Sequence, residues 1–341
     1  MEKKLLLGNE AVARGLYEAG VTVVSSYPGT PSTEITEAVT KYDEIYSEWA
    51  PNEKVAFEVA FGASLGGARS FCAMKHVGLN VAADPLYTAS YIGVNGGMVC
   101  AVADDPGMHS SQNEQDNRHY ARFASLPCFE PVSAQEAKEM TREAFRLARE
   151  LQQPVMLRTT TRVSHMRGPV DFDDLPAPQP KVAFKREPGR FVPVPAVACR
   201  RHLALDANLE KARQIAEGSR FNVEREPAGQ TRLGIIASGV ARNYLADALA
   251  SGGWEDRVRV LELGMTWPLP SEMIAAFLQK CDRVLVLEEG ADLLEQDVRA
   301  LAQRRGLNVR IEGKNENLTG QGEYSTTLVL RRLSAWLDCP C

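Results

Sequence analysis

Thr30 and Gly29 lie in a turn whose residue types could hold a ligand. The turn YPGTP, residues 27–31, follows the strand-like run VTVVSS and precedes a helix start. A hydroxyl at a helix N-terminus can bind an anionic group, and a glycine lets a ligand approach the backbone closely. The alternative is that Thr30 only caps the helix and that the prolines only shape the loop.

Glu53 is the second candidate, at the start of the segment NEKVAFEVAFGASLGGARS, residues 52–70. Ala56, Phe57 and Ala60 follow it at helical spacing, so Glu53 lies on an apolar helix face. A carboxylate on such a face prefers a proton or a strong donor, which suits a group that hydrogen-bonds a ring nitrogen and shuttles a proton. The alternative is an exposed first-turn glutamate that interacts favourably with the helix dipole.

The third candidate segment, DDPGMHSSQNEQDNRHYARF, covers residues 104–123 and follows a strand-like run. Arg118 or Arg122 could hold a substrate carboxylate, because arginine presents a planar fork of donors. His109 and His119 are ten residues apart, so their spacing does not predict a metal site. The alternative is a solvated polar loop, since loops are polar by default, although function also concentrates in them.

A common fold must bring these three segments to one edge of a sheet if they are to form a single site. Between Asn9 and residue 166 helix candidates alternate with apolar strand candidates, which include residues 70–74, 98–104, 128–132 and 154–161. Continuous apolar strands separated by helices predict an α/β fold with mostly parallel sheets sandwiched by helices. In such open sheets ligands bind at the carboxyl ends of the strands, and we expect the three candidate segments to converge on such an edge.

The chain divides into three parts along its sequence. Residues 1–170 carry the first α/β domain, and residues 171–230 are rich in proline and charge, which predicts an extended linker with one helix near 208–217. Strand and helix candidates alternate again over residues 231–341. This pattern predicts a second, smaller α/β domain.

The composition argues against several classes of function. The 341 residues carry a net charge of −5, so nothing indicates nucleic acid or an anionic membrane as a partner. No apolar run approaches the roughly 20 residues of a membrane span, and the apolar stretch near the N-terminus is too short for a signal peptide. Five of the seven cysteines are scattered singly, and only Cys339 and Cys341 lie together. We therefore expect a soluble, cytoplasmic protein.

Five stretches taken together resemble the pyrimidine-binding domain of thiamine-diphosphate enzymes, and within this class the α subunit of indolepyruvate ferredoxin oxidoreductase. They are YPGTPSTEI, NEKVAFEVAFGASLGGAR, MKHVGLNVAADPL, VADDPGMHSSQNEQDNRHYARFASLP and LRTTTRVSHMRGPV. The resemblance is close over residues 5 to about 170 and looser over 230–315. There GIIASG, LELGMTWPLP and VLVLEEG are similar to the family's transketolase-C-like domain.

The resemblance implies a catalytic role for Glu53. In thiamine enzymes a helix glutamate bonds N1′ of the aminopyrimidine, and glycines follow about nine and fourteen residues later. Glu53 with Gly62 and Gly67 fits that spacing, whereas Glu58 does not. The tautomer that this bond promotes makes the 4′-imino group a base for the thiazolium C2 proton, and the resulting carbanion attacks a 2-oxoacid.

The resemblance also implies which residues bind the substrate and the cofactor. Thr30 matches the threonine that faces the substrate carboxylate in related pyruvate oxidoreductases, and Arg118 aligns with their substrate-binding arginine, with Arg122 as the fallback. The residues expected at the cofactor are Pro28, Gly29, Glu53 and Gly78. No metal ligand is expected on this chain.

The chain departs from the family's pattern in one respect. The full-length family subunit continues with a diphosphate-binding domain, which carries a Gly-Asp-Gly motif for the metal, and with a ferredoxin-like domain. This chain has no Gly-Asp-Gly. The expected cofactor is thiamine diphosphate with Mg2+, its metal and diphosphate held by a partner domain or subunit, and iron–sulfur clusters are expected on a partner. Whether the chain is a fragment or a natural split subunit stays open, and alone it should be inactive.

The resemblance implies an α-type subunit or fragment of a 2-oxoacid:ferredoxin oxidoreductase that acts on arylpyruvates and forms an acyl-CoA. The expected partners are ferredoxin, the 2-oxoacid and coenzyme A. An oligomer is expected because thiamine diphosphate binds between domains. One alternative is a non-oxidative 2-oxoacid decarboxylase subunit, against which residues 230–340 argue. The other alternative is a non-catalytic interaction module of the same fold.

Overall fold

The computed structural model describes residues 2–175, 183–315 and 318–339. Its residues form two compact units. The first unit comprises Met1–Asp105 with Gln115–Ala212, and the second comprises Pro106–Glu114 with Arg213–Cys341. Helices and strands alternate in both units, and the sheets are mostly parallel, which confirms the predicted α/β class.

The secondary structure of the first unit begins with a short strand and ends with a long helix. Its strands are β1 (Lys3–Leu7), β2 (Val23–Ser26), β3 (Tyr46–Trp49), β4 (Ser70–Lys75), β5 (Met98–Asp104), β6 (Cys128–Phe129), β7 (Val155–Thr160) and β8 (Arg167–Asp171). Its helices are α1 (Gly8–Glu18), α2 (Thr33–Val39), α3 (Glu53–Leu65), α4 (His76–Val81), α5 (Ala83–Ile92), α6 (Arg118–Phe123), α7 (Ala134–Leu151), α8 (Thr161–His165), α9 (Pro188–Phe191) and α10 (Pro195–Glu217), in which the division between the units falls.

The main sheet of the first unit is parallel throughout. Its strands follow the order β6-β7-β5-β4-β2-β3, and residues such as Cys72 and Cys100 are direct neighbours in register. β5 is buried along its whole length, because helices cover both faces of the sheet. α1 packs against α7 at a close distance that Gly15 permits: a Cβ there would lie 2.6 Å from the carbonyl oxygen of Lys138.

The second unit is a smaller sheet between two helical layers. Its strands are β9 (Asn222–Arg225), β10 (Leu233–Ser238), β11 (Arg259–Leu263), β12 (Met265–Trp267), β13 (Arg283–Leu287) and β14 (Arg310–Glu312). Its helices are α11 (Ala241–Gly252), a 3-10 turn (Glu255–Arg257), α12 (Ser271–Gln279), α13 (Leu293–Arg304) and α14 (Thr326–Trp336). The sheet order is β14-β13-β10-β11-β9, and β9 is its antiparallel strand. One apolar core contains Trp336 and Leu249, and a second contains Phe277 and Leu301.

The segment predicted as an extended linker contains more helix than expected. α10 begins at Pro195, thirteen residues before the predicted helix start. The buried apolar residues of α10 are widely spaced, so its amphipathic pattern is weak in the sequence. The early turns are held by tertiary contacts instead: Arg201 Nε donates to the carbonyl oxygen of Tyr91 at 2.9 Å. Residues 176–182 lie outside the described residues, and the predicted domain boundaries stay a prediction.

Residues 106–114 group with the second unit, although they lie inside the predicted first domain. Glu114 Oε2 accepts the backbone N–H of Gly107 at 2.7 Å and that of Gly322 at 3.1 Å, which ties this loop to residues near the C-terminus. No helix in the described part of the chain combines the length and the apolar composition of a membrane span.

Candidate functional site

Four candidate residues follow four adjacent strands of the first unit. In sheet order the strands are β3, β2, β4 and β5, and the residues that follow them are Glu53, Thr30, Gly78 and Arg118. Because the strands are parallel, all four segments begin at the carboxyl edge of the sheet, where open α/β sheets bind ligands.

Glu53 and Gly78 are in direct contact at this edge. Glu53 is the first residue of α3, whose N-cap Asn52 accepts the N–H of Val55 at 2.9 Å. A Cβ at Gly78 would lie 2.6 Å from both Cγ and Oε1 of Glu53. The half-buried Glu53 side chain therefore occupies the space that any side chain at position 78 would need. Within the described residues, the Glu53 carboxylate makes no hydrogen bond or ion pair.

The turn before α2 is organised by its own hydroxyl groups. The backbone N–H of Gly29 donates to Thr33 Oγ1 at 2.8 Å, and the Ser32 hydroxyl donates to the carbonyl oxygen of Gly29 at 2.8 Å. The peptide between Thr30 and Pro31 is cis. Thr30 itself is exposed, and the N-cap of α2 is Ser32. Thr30 is therefore not the helix cap that the alternative interpretation of this turn required.

Lys75 lies against the same turn from the end of β4. A Cβ at Gly29 would lie 3.0 Å from both Cγ and Cδ of Lys75. Because Gly29 has no side chain, it leaves room for the aliphatic part of Lys75 as well as for a ligand. Pro28, the other turn residue expected at the cofactor, is exposed.

Arg118 is buried and paired with an aspartate. It begins α6, and only 7% of its surface is exposed. Its Nε lies 3.0 Å from Oδ1 and 3.1 Å from Oδ2 of Asp116, and its Nη2 lies 2.6 Å from Oδ2. Arg118 is therefore not a side chain of a solvated loop. Arg122, the fallback, is half-buried one turn further along α6.

A second buried arginine, Arg158 on β7, lies at the centre of the charges around Arg118. Its Nε donates to Oδ2 of Asp104 at 2.7 Å, and it also pairs with Glu130. Burial raises the pKa of Asp104, and the nearby Asp116 charge raises it further, although Arg158 opposes both. Burial would lower the pKa of Arg158, but the carboxylates of Asp104, Glu130 and Asp116 raise it above its ordinary value.

Asn80 joins α4 to the segment that carries Arg118. Its Nδ2 donates to Oε1 of Gln115 at 3.1 Å, and its Oδ1 accepts the Tyr120 hydroxyl at 2.7 Å. With the Glu53–Gly78 contact, this links the loops that follow β3, β4 and β5. That Thr30, Glu53 and Arg118 act on one ligand stays a prediction.

Sequence reasoning missed Lys75, Asn80 and Asp116. Lys75 ends an apolar strand at the ligand-binding edge, which is a signal that could have found it. Asp116 lies two residues before Arg118, and an acidic residue so close to a candidate arginine is a further signal. Nothing local distinguishes Asn80 from other exposed helix residues.

The Glu53 carboxylate is a candidate partner for a nitrogen atom of a ligand. Glu53 is half-buried, and Gly78 has no side chain that would displace its carboxylate. This is an arrangement that could hydrogen-bond a ring nitrogen such as N1′ of an aminopyrimidine. The fold is that of an α/β protein, and its candidate site lies at the carboxyl edge of the first sheet.

Comparison with known families identifies that class more closely. The family described as pyruvate flavodoxin/ferredoxin oxidoreductase, thiamine-diphosphate-binding, matches residues 14–216. The chain belongs to this family. The match includes every residue that we assign to the site, from Pro28 to Arg118.

Two curated relatives carry the same name, indolepyruvate oxidoreductase subunit IorA. The protein of Methanothermobacter marburgensis is 47% identical over 337 residues, which are 98% of this chain and 54% of the relative. That of Pyrococcus abyssi is 47% identical over 322 residues, 92% of this chain and 49% of the relative. The chain thus spans about half the length of the curated relatives it matches. The resemblance to indolepyruvate ferredoxin oxidoreductase α subunits is confirmed.

A solved structure shares the fold of the chain. It is the 2-oxoglutarate:ferredoxin oxidoreductase from Magnetococcus marinus, with 2-oxoglutarate, coenzyme A and succinyl-CoA bound. The match covers 98% of this chain and 65% of the chain of that structure. The TM-score is 0.75 at 16% sequence identity. This likeness supports the fold alone, and it agrees with the predicted thiamine-diphosphate-binding architecture.

Proposed function

We propose that this chain supplies the pyrimidine-side half of the active site of a thiamine-diphosphate-dependent 2-oxoacid:ferredoxin oxidoreductase, with arylpyruvates as substrates. The observation that carries the proposal is the Glu53 carboxylate held against Gly78 at the carboxyl edge of the sheet. Membership of the thiamine-diphosphate-binding family and the names of the curated relatives support the reaction class and the substrate class.

When bound, thiamine diphosphate supplies the nucleophilic carbon and the electron sink for decarboxylation of the 2-oxoacid. Glu53 holds a proton at N1′ of the aminopyrimidine and thereby selects the tautomer of that ring. Because the contact with Gly78 limits where its side chain can go, Glu53 is positioned before the cofactor arrives. Little reorganisation is then needed at the moment of reaction.

Thr30 and Arg118 act on the substrate. The exposed Thr30 hydroxyl donates a hydrogen bond to the carboxylate of the 2-oxoacid, and Arg118 provides a positive charge and directed donors for the same group. Pro28 and Gly29 lie in the same turn and contact the cofactor.

The remaining parts of the enzyme lie outside this chain in our proposal. The chain has no Gly-Asp-Gly motif and spans about half of its relatives. A partner domain or subunit therefore holds Mg2+ and the diphosphate, and iron–sulfur clusters on a partner pass electrons to ferredoxin. Coenzyme A takes the acyl group, and the complete site requires an oligomer or a longer chain.

Purification of the enzyme from its native source tests the assembly. We expect a co-purifying chain with a Gly-Asp-Gly motif, or a native product much longer than 341 residues. The purified material should reduce ferredoxin or a viologen dye when an arylpyruvate and coenzyme A are added.

Two results would contradict the proposal. Aldehyde formation without dye reduction would favour the non-oxidative decarboxylase. A lone 37.4 kDa chain that binds no thiamine diphosphate would favour a non-catalytic interaction module.

A further inference from the structure

A cluster of buried charges lies directly beneath the residues that begin α6. Asp104 is fully buried, and Glu130, Arg158 and Arg118 are 2%, 4% and 7% exposed. Removing such groups from water costs several kcal/mol per ion, and the pairing at best roughly repays that cost. Stability alone is therefore a poor explanation for this cluster, which suggests that the charges fix a geometry.

The backbone next to Arg118 is anchored to the sheet. Asn117 is fully buried, and its Nδ2 donates to Oδ1 of Asp104 at 2.5 Å. Its backbone N–H donates to Oδ2 of the same aspartate at 3.1 Å. Because Asp104 is the last residue of β5, these two bonds fix the start of α6 relative to the central strand.

The side chain of Arg118 has its own anchor in Asp116. The carboxylate of Asp116 contacts both Nε and Nη2 of Arg118, and its Oδ1 also accepts the backbone N–H of Arg118 at 3.1 Å. On its other side, Oδ1 of Asp116 lies 3.8 Å from Nη2 of Arg158. Asp116 thus lies between two guanidinium groups, and the second of them is itself fixed by Asp104 and Glu130.

We propose that Asp116 is a positioning residue that orients the Arg118 guanidinium for the carboxylate of the 2-oxoacid. Asp104 and Arg158 in turn fix the position of Asp116. The inference rests on the proposed function, because it assumes that Arg118 binds substrate. A bidentate aspartate removes the rotational freedom of the arginine, so its donors are directed before the substrate arrives.

Charge and orientation predict opposite results when Asp116 is neutralised. If Asp116 acted only as a nearby negative charge, its loss would strengthen the binding of an anionic substrate. If Asp116 orients Arg118, its loss frees the side chain and weakens binding. Measuring KM for the 2-oxoacid in a variant without the Asp116 charge distinguishes the charge effect from the orienting effect.

The experiment uses the assembled native enzyme with variants in this chain. Asp116→Asn should raise KM for the arylpyruvate about tenfold, the loss expected for one charged hydrogen bond, with kcat changed far less. Arg118→Lys should raise KM in the same direction. The double variant should be no worse than Arg118→Lys alone, because Asp116 acts through Arg118. Thiamine-diphosphate affinity, measured by calorimetric titration, should be unchanged in all three.

Asp173→Asn is the matched control. Asp173 is also ion-paired in the first unit, with Lys138 at 2.8 Å, and its ion-pair partners among the described residues are Lys138 and Arg142. It should leave KM unchanged. If Asp116→Asn does not assemble, Asp116→Glu keeps the charge but displaces the carboxylate, and it should raise KM as well.

The outcomes separate this inference from the proposed function. An unchanged or lowered KM in Asp116→Asn, with a raised KM in Arg118→Lys, would overturn the positioning role alone. An unchanged KM in Arg118→Lys would overturn it together with the substrate role of Arg118. Loss of turnover in Glu53→Gln would then still support the proposed reaction. A wild-type enzyme without 2-oxoacid-dependent dye reduction would overturn both.

Discussion

Glu53 and Gly78, 25 residues apart in the chain, share one small space at the carboxyl edge of the first sheet. Cγ and Oε1 of Glu53 each lie 2.6 Å from the position that a Cβ of residue 78 would occupy. Real Cβ atoms do not approach other atoms so closely. The identity of residue 78 therefore controls where the proposed catalytic carboxylate can lie.

Gly78→Ala should displace Glu53 and weaken the binding of thiamine diphosphate. The added methyl group and the carboxylate cannot both keep their positions, so the hydrogen bond to the pyrimidine should lengthen or break. We expect a loss of affinity of about tenfold or more, measured by calorimetric titration of the assembled enzyme. Gly62→Ala is the control: a Cβ there has no atom within 4 Å, and alanine is the better helix former. Equal affinities of the two variants would refute this role of Gly78.

Glu53→Gln should abolish turnover and leave the fold intact. Glutamine has the same shape as glutamate but cannot hold and release the proton at N1′, so turnover should fall about 100-fold or more. The assay is 2-oxoacid-dependent dye reduction, with the thermal midpoint as the check on folding. Glu58→Gln on the same helix changes an exposed glutamate and should keep full activity. Substantial turnover of Glu53→Gln would eliminate Glu53 as the catalytic residue.

Thr30→Val should raise KM for the 2-oxoacid more than it lowers kcat. Valine keeps the shape of threonine but removes the hydroxyl donor that we assign to the substrate carboxylate. The expected increase is about tenfold or more, the value of a single hydrogen bond to a charged group. Thr33→Val tests the scaffold instead, because Thr33 Oγ1 accepts the N–H of Gly29. If Thr30→Val leaves KM at the wild-type value, Thr30 does not contact the substrate.

Asp173 should contribute stability that disappears in acid. A hydrogen bond from Lys138 lowers the pKa of Asp173 below its ordinary value of 3.8, burial opposes this shift, and the charges of Lys138 and Arg142 lower the pKa further. A carboxyl group with a lowered folded-state pKa stabilises the protein above the unfolded pKa, and this contribution is lost as the pH falls through the folded value. Asp173→Asn should therefore be less stable than the parent protein at pH 7.

Urea unfolding at a series of pH values measures this contribution. The deficit of Asp173→Asn should stay constant well above pH 3.8 and shrink below it. It should be modest, because the side chain is 35% exposed and the ion pair is screened. Asp84→Asn, which removes an exposed ion pair with Lys54, should have little effect at any pH. A deficit that grows as the pH falls would refute the assignment.

Several elements follow directly from the local sequence. The runs that form β4 and β5 are apolar except at their ends, which is typical of parallel strands buried on both faces. The structure places them at Ser70–Lys75 and Met98–Asp104. Ser133 and Glu136, three residues apart, have the spacing of a capping box and predict the start of α7, where the Ser133 hydroxyl accepts the N–H of Glu136. In contrast, β3 has the short sequence YSEW with exposed or half-buried side chains, so no apolar run marks it.

The sequence by itself therefore determined the α/β class, the family and the residue types of the candidate site, because strand and helix patterns and spaced motifs are local properties of the chain. The tertiary structure decided what those residues touch. It brought Glu53 against Gly78, paired the buried Arg118 with Asp116, and extended α10 back to Pro195. Burial and ion pairing depend on neighbours that are distant in sequence, and no local pattern specifies which neighbours those are.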